Sequence, residues 1–274
     1  MRMATAKVLV VSLALAGCAT TQTTQPGAVD IHRKQTMLVS EASVEHGAQQ
    51  SYLGELEKAG ASGKLNADPA LTARIRRITD RLIPVTATFR PDALEWKWEV
   101  NTLSTPEVNA YCMPGGKIMV YSGLVDKLQL DDAEIATVLG HEMSHALREH
   151  TRERVSKAYE QQVALVGLAV LTGAGPDTIA LADQVASVTF ELPHDREQES
   201  EADVMGLELM ARAGYDPHKA ISLWKKMMAV EKSEPPQYLS THPASANRIA
   251  ELERHLPQVL PLYAAAERKD LPAH

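Results

Sequence analysis

The sequence predicts an α+β domain that is mainly helical and has a small sheet. Helical periodicity is strongest over residues 69–83 and 130–147, where apolar side chains recur every three or four positions. Residues 95–100 alternate between polar and apolar side chains, as a half-buried strand does. The run 109–124 has the pattern strand, Pro-Gly-Gly turn, strand. This pattern predicts a β-hairpin beside the helix predicted at 130–147.

The N-terminus predicts a lipoprotein leader. A basic start and a short apolar run are followed by Leu-Ala-Gly-Cys at residues 15–18, which looks like a bacterial lipobox. Residues 1–17 are then a signal peptide, and Cys18 carries lipid; an ordinary signal peptide followed by an unrelated cysteine is the alternative. Ala19, in place of Asp, resembles lipoproteins sorted to the outer membrane. We therefore expect a lipid-anchored protein of the bacterial outer membrane that faces the periplasm, with residues 18–30 as a flexible tether.

Residues 31–260 are expected to form one globular domain, near the upper size limit for a single core. A helix is expected within residues 30–60, and helices resume at 217–231 and 244–256. Residues 261–274 are expected to form a tail.

The net charge of −7 and the lack of a basic patch or aromatic strip argue against nucleic-acid binding. No internal repeat is visible, and no feature specifies an oligomeric state.

The most specific motif is His141-Glu142-Met143-Ser144-His145, within the helical pattern of residues 130–147. Positions i and i+4 of a helix share one face, so His141 and His145 can both direct a ring nitrogen at one metal ion. Glu142 lies beside them, where a carboxylate can accept a proton from an attacking water. This pattern is typical of zinc hydrolases, and two surface histidines four residues apart are the alternative.

The residues around this motif predict where its helix begins and ends. Asp131 is expected to cap the helix, with Glu134 at the capping-box position. The charged side chains after the motif are expected to be solvated: Arg148, Glu149, His150, Arg152, Glu153 and Arg154. Cys112, the single thiol that lipid does not modify, is expected to be buried beside the Pro-Gly-Gly turn and has no partner for a disulfide.

The apolar run at the start of segment 161–192 is broken by Gly and Pro at residues 172–176. It is about half as long as a membrane span requires. We therefore expect two packed helices that cover the functional site and could move as a lid, with membrane contact as the alternative.

A catalytic zinc takes three protein ligands, so a third is needed, and residues 195–203 contain the candidates. Here the chain resembles zinc metallopeptidases of the HtpX and CAAX-prenyl-protease type, which follow H-E-x-x-H with a helical E-x-x-x-D. The resemblance implies that Glu199 is the third ligand and that Asp203, one turn on, orients a ligand histidine. Glu197 and Glu201 are expected to be solvated.

Two further segments match that family. The stretch before the Pro-Gly-Gly turn provides candidate substrate-binding residues, because an edge strand can pair with an extended peptide: Asn109, Ala110 and Tyr111. An ordinary hairpin is compatible with the same pattern. The second segment is His242-Pro243, with Arg248 five residues after the proline. His242 could donate to a developing oxyanion, or reach the zinc and block it, or be a plain loop residue.

The resemblance implies a zincin-like metalloendopeptidase with one Zn²⁺ per chain, of the periplasmic lipoprotein type without a repeat domain. His141, His145 and Glu199 would hold the metal, Glu142 would accept the proton, and His242 would assist. The implied partners are protein or peptide substrates of the envelope, above all misfolded or misassembled proteins. The alternative is a zinc-containing chaperone or assembly factor for outer-membrane proteins with little proteolysis, whose structural zinc would have four protein ligands.

Overall fold

The computed structural model describes residues 20–160, 187–189, 194–231, 237–243 and 246–270. Helices dominate these residues and surround one small sheet, which confirms the α+β prediction. The helices are α1 (Glu41–Ala61), α2 (Pro69–Leu82), α3 (Ser122–Leu128), α4 (Asp132–Leu147), α5 (150–160), α6 (Arg196–Arg212), α7 (His218–Glu231), α8 (Gln237–Thr241) and α9 (Ala246–Asp270). Within the described ranges no helix combines the length and the apolar character that a bilayer crossing needs.

The main sheet has three strands in the order β3-β5-β4, numbered after a short pair formed by β1 (Thr20–Thr21) and β2 (Gln35–Thr36). The central strand β5 (Lys117–Tyr121) is parallel to β3 (Glu99–Leu103) and antiparallel to β4 (Ala110–Met113). The predicted hairpin is thus confirmed.

Two glycines make the hairpin turn possible. Gly115 and Gly116 have φ of 75° and 78°, which other residues adopt only with strain. At Gly116 a side chain would also collide with the Trp98 ring, since an added Cβ would lie 2.6 Å from it. The strand predicted at 95–100 starts only at Glu99, because a 3₁₀ turn occupies Pro91–Glu95, where proline favours a helical start.

Helix α4 lies at the centre of the core and packs against α2, α6, α7 and β4. The expected capping box at its start is present: Asp131 accepts from the Glu134 amide, and the Glu134 side chain accepts from the Asp131 amide. Helix α6 approaches α4 at Gly140 and Gly206. A Cβ on Gly140 would lie 2.9 Å from the Gly206 carbonyl oxygen, and one on Gly206 would lie 2.7 Å from the backbone nitrogen of His141. The two backbones are therefore in direct contact beside the H-E-x-x-H motif.

The N-terminal strap, residues 20–36, packs on the domain. Gln25 donates its amide to the Phe89 carbonyl at 2.7 Å, and the amides of Ala28 and Val29 donate to the buried carboxylate of Glu208. The expectation of a flexible tether over 18–30 is therefore wrong from residue 20 onward. Its polar composition suggested disorder, but backbone groups of the strap find partners on Glu208 of α6 and on Phe89, which lies just before the 3₁₀ turn at Pro91–Glu95.

Most of the charged residues after α4 are buried, although the sequence predicted that they are exposed to solvent. Arg148 and His150 are fully buried, and Glu149, Glu153 and Arg154 are at most 9% exposed. The prediction that this stretch is solvated is wrong, because its partners come from distant parts of the chain. At the other end, the helix expected over 244–256 continues to Asp270. Its Leu262 and Tyr263 pack against the core where a tail was expected to begin.

Candidate metal centre

Four side chains that can bind a metal converge between α4, α6 and the end of α8: His141, His145, Glu199 and His242. One ligand atom from each lies within 4.8 Å of all the others. Nε2 of His141 is 3.1 Å from Nε2 of His145 and 3.2 Å from Nδ1 of His242. Oε1 of Glu199 is 3.4 Å from Nε2 of His145 and 2.9 Å from Nδ1 of His242. All four residues are 3–5% exposed.

Local structure explains how these groups meet. His141 and His145 are one turn apart on α4 and therefore share a face. Glu199 lies in the first turns of α6, and the Gly140–Gly206 contact brings α6 close enough for its carboxylate to reach them. His242 follows directly after α8, and its amide donates to the Tyr238 carbonyl at 2.9 Å.

This donor set fits zinc. Imidazole nitrogens and one carboxylate are ligands that zinc prefers, and a tetrahedral site with Zn–N of about 2.0–2.1 Å separates ligand atoms by about 3.3 Å. The four separations given above, 2.9–3.4 Å, are close to that value. The remaining nitrogens of the two helical histidines are bound elsewhere: Nδ1 of His141 lies 3.0 Å from Asp203, and Nδ1 of His145 lies 2.8 Å from His150. Both Nε2 atoms can therefore direct a lone pair into the cluster.

Asp203 and Arg248 form a second layer behind His141. Arg248 donates from Nε and Nη2 to the two oxygens of Asp203, each at 2.7 Å. Its Nη1 lies 2.7 Å from Oε2 of Glu199, and its guanidinium stacks 3.6 Å from the Trp224 ring centroid. Arg248 thus holds Asp203, which orients His141, by two hydrogen bonds, and its charge lies beside the carboxylate of Glu199. Arg248 belongs to the segment that matches the family, but the sequence alone predicted no role for it.

The pKa shifts at the cluster follow from burial and from neighbouring charges. Burial lowers the pKa of His145 well below its ordinary value, which favours the neutral ring that binds metals. Burial alone would raise the pKa of Glu199, but the charges of His242 and Arg248 outweigh it and hold that pKa well below the usual range. Burial opposes charging of His242, yet the carboxylates of Glu199 and Glu142 raise its pKa.

Glu142 and Tyr238 form a pair beside the cluster. The Tyr238 hydroxyl donates to Oε1 of Glu142 at 2.8 Å, and both side chains are buried. The Tyr238 ring stacks on His242 with centroids 4.5 Å apart, and the His194 ring also stacks on His242, with centroids 4.9 Å apart. Sequence reasoning missed Tyr238 and His194. The single available signal for Tyr238 was its position four residues before His242, on one helical turn.

The predicted substrate residues lie at the same place. Strand β4 forms one edge of the main sheet in the described part of the chain. Three of its residues and the preceding Asn109 line a cavity of about 20 Å³ together with Glu142, His145 and His242; the three are Ala110, Tyr111 and Cys112. That volume is enough for about one water molecule. A peptide therefore requires the walls of this cavity to separate. Cys112 is buried, as expected, and burial raises its pKa well above the usual value.

Two glutamates near the third ligand differ in environment. Glu197 is exposed, as expected. Glu201 is 8% exposed and accepts from Arg33, Arg148 and His150, so the expectation that it is solvated is wrong. Cys18 lies outside the described residues, as does nearly all of segment 161–192, where residues 187–189 are helical.

Comparison with known proteins agrees with this geometry. The chain is 35% identical over 179 residues to the mitochondrial metalloendopeptidase OMA1 of Saccharomyces cerevisiae, an alignment that covers 62% of the chain and 50% of the relative. It is 39% identical over 151 residues to OMA1 of Arabidopsis thaliana, over 55% of the chain and 30% of the relative. It is 26% identical over 214 residues to the β-barrel assembly-enhancing protease of Escherichia coli, an alignment that covers 73% of the chain and 42% of the relative.

The chain thus spans half or less of the length of these relatives. A family model, peptidase family M48, matches residues 69–256, which include every residue of the metal cluster. That match covers more than half of the chain and confirms the predicted kinship at the level of the family. The chain belongs to peptidase family M48.

Proposed function

We propose that this protein is a zinc-dependent metalloendopeptidase in which His141, His145 and Glu199 hold the metal. The observation that carries the proposal is the buried convergence of these ligand atoms, within 4.8 Å, beside the carboxylate of Glu142. Zinc, when bound, polarises a carbonyl and lowers the pKa of water toward neutrality. The similarity to proteins named metalloendopeptidases supports the same activity.

The residues around the cluster supply the remaining steps of peptide hydrolysis. Glu142 accepts a proton from the attacking water on a carboxylate oxygen and then delivers it to the nitrogen of the leaving amine. Tyr238 holds Oε1 of Glu142 and so fixes the orientation of that carboxylate. The edge of β4 can pair with an extended substrate backbone, which positions the scissile bond over the cluster.

A second function has one observation in its favour. Because His242 adds a fourth donor atom to the cluster, the site has four protein donors, as a closed structural zinc site does. A zinc-containing assembly factor would have such a site. The buried Glu142, held by Tyr238 next to the donors, favours the peptidase, because a structural zinc has no use for a proton acceptor there.

The test is Glu142→Gln, which keeps the size of the side chain and removes the proton acceptor. We expect unchanged zinc content and thermal unfolding, and casein cleavage reduced at least about 100-fold. Glu197→Gln, on the exposed start of α6, is the matched control and should cleave normally. Cleavage by Glu142→Gln at the unaltered rate would refute the proposed chemistry. An unaltered protein that binds zinc and cleaves nothing would favour the assembly factor.

We also propose that the protein acts in a bacterial envelope, anchored to the outer membrane by lipid on Cys18 and acting on misfolded or misassembled proteins. The lipobox-like residues 15–18 and the similarity to an E. coli protease named for β-barrel assembly support this. Cys18→Ala should abolish labelling by radioactive palmitate and outer-membrane fractionation. Unchanged fractionation would contradict the anchor.

Envelope proteins that remain bound to Glu142→Gln, but not to His141→Ala, would identify the substrates.

A further inference from the structure

A network of buried charges lies behind the metal cluster and connects it to the N-terminal strap. Its members are Arg33, Arg148, His150, Glu153 and Glu201. Arg148 and His150 are fully buried, and the two glutamates are 2% and 8% exposed. These residues come from the strap, from α5 and the turn before it, and from α6. The proposed peptidase chemistry uses none of them directly.

One path through this network ends at a metal ligand. Nδ1 of His145 lies 2.8 Å from Nδ1 of His150, and Nε2 of His150 lies 3.0 Å from Oε2 of Glu201. A carboxylate only accepts, so His150 must donate from Nε2. Its Nδ1 is then an acceptor, and His145 must donate to it from its own Nδ1. The Nε2 lone pair of His145 is thereby directed into the cluster.

Arg33 of the strap fixes the far end of that path. Its Nη1 and Nη2 donate to the two oxygens of Glu153 at 2.6 and 2.9 Å. Its Nε and Nη2 donate to the two oxygens of Glu201, each at 2.9 Å. Arg33 therefore bridges two buried carboxylates that belong to different helices. Without it, these like charges would face each other at low dielectric, and Glu201 would tend to move away from Glu153 and from His150.

Other strap residues join the same contacts. The side-chain amide of Gln35 donates from Nε2 to the Arg148 carbonyl at 2.7 Å and to Glu153 at 3.0 Å. Arg148 in turn donates to Thr23 and Thr24 of the strap and to Glu201. The strap thus contacts three members of the network: Arg148, Glu153 and Glu201.

We propose that docking of the N-terminal strap sets the zinc affinity of the cluster, with Arg33 as a positioning residue that acts on ligand His145 through Glu201 and His150. The inference rests on the metal site of the proposed function. Loss of a partner that orients a ligand histidine typically costs 10–100-fold in metal affinity. A segment that ends 96 residues before the ligand helix, at Thr36, would thereby be part of the metal site.

The test compares three full-length variants by chelator competition for Zn²⁺. Arg33→Met removes the bridge and should raise the zinc dissociation constant at least about tenfold. Arg33→Lys keeps the charge but cannot hold two carboxylates at once, so its increase should be smaller and in the same direction. Lys34→Met removes an exposed charge from the adjacent strap position and should leave the constant unchanged. Thermal unfolding of the zinc-free proteins shows whether each variant folds.

A double-variant comparison separates positioning from general destabilisation. His150→Phe interrupts the path nearer to the metal. If Arg33 acts through His150, adding Arg33→Met to His150→Phe should change the dissociation constant by less than about twofold. The visible spectrum of the Co²⁺-loaded protein should shift in both single variants and not in Lys34→Met.

Three outcomes would overturn the inference: an unchanged dissociation constant in a folded Arg33→Met protein, multiplicative effects in the double variant, or equal effects of Arg33→Met and Lys34→Met. The proposed function is tested separately. If the unaltered chain binds no zinc, both fail. If it binds zinc and cleaves peptide while Arg33→Met binds zinc equally tightly, only this inference fails.

Discussion

The hydroxyl of Tyr238 donates a 2.8 Å hydrogen bond to Oε1 of Glu142, so the proposed general base is held by a residue from a helix almost 100 positions later in the chain. Burial raises the pKa of Tyr238 well above its usual value, and the charge of Glu142 acts in the same direction. The phenol therefore stays protonated and remains a donor to the carboxylate.

Tyr238→Phe should reduce kcat about tenfold and leave zinc content unchanged. The variant removes a hydrogen bond to a charged group, typically worth about 1.5–3 kcal/mol, but keeps the ring that stacks on His242. Steady-state kinetics with a peptide substrate, together with metal analysis, measures both quantities. An unchanged kcat would mean that Glu142 needs no partner to be oriented.

Gly206→Ala should weaken zinc binding several-fold and destabilise the protein by about 1–3 kcal/mol. An added Cβ would lie 2.7 Å from the backbone nitrogen of His141, so α6 must move away from α4 and take Glu199 with it. Chelator competition and denaturant unfolding measure the two effects. Gly54→Ala, where a Cβ meets nothing within 4 Å, is the matched control. Equal behaviour of the two variants would contradict the role assigned to the close helix contact.

His242→Ala distinguishes the two expected roles of this histidine. Its Nδ1 lies among the ligand atoms, 2.9 Å from Glu199 and 3.2 Å from His141, which supports the blocking role. We therefore expect basal peptide cleavage to rise several-fold, measured as initial rates at saturating zinc. A fall in kcat of about 100-fold with zinc retained would instead support donation to the oxyanion.

Glu199→Ala should remove most of the bound zinc, whereas Glu197→Ala should not. Only the first carboxylate reaches the cluster, and the second is exposed. Metal analysis after gel filtration gives the comparison. Glu201→Ala should have an intermediate effect, because its carboxylate holds His150 and not the metal itself. Full zinc retention by Glu199→Ala would exclude this residue as a ligand.

The stability of the zinc-free protein should depend on Glu153 in acid. Burial would raise the pKa of Glu153, but hydrogen bonds from Arg33, Gln198 and Gln35 lower it from 4.5 to about 2. A lowered pKa stabilises the fold fully above the unfolded value near 4.5, and this contribution disappears as the pH falls toward 2. The difference in unfolding free energy between the wild type and Glu153→Gln should therefore shrink between pH 4.5 and 2. A difference that is constant with pH would contradict the shift.

The parts of the fold that the sequence predicted well depend on local patterns. The capping box of Asp131 and Glu134, the periodicity of α2 and the Pro-Gly-Gly hairpin each involve residues close in sequence. The pairing of His141 with His145 followed from helical spacing alone. That Glu199 is near them followed from a family resemblance, because the Gly140–Gly206 contact that brings α6 close has no signature in a single sequence.

The errors have a common physical cause. Charged residues such as Arg148, Glu153 and Glu201 were expected to be solvated, which is the rule for isolated charges. In this chain they are buried because they neutralise each other and Arg33, more than 100 residues earlier. Whether a charge has a buried partner depends on tertiary contacts that no local pattern encodes. Tyr238 was missed for the same reason, since its partner Glu142 is in another helix.

The docked strap has a consequence for how far the protein can reach from a bilayer. A flexible tether over residues 18–30 would have an r.m.s. span of about 20 Å and would let the domain sample many heights and orientations. Because the strap is bound from Thr20 onward, only Ala19 separates the proposed lipid on Cys18 from the folded domain. A lipidated protein of this form would be held close to the membrane surface, so the substrates within its reach would be chains near the bilayer.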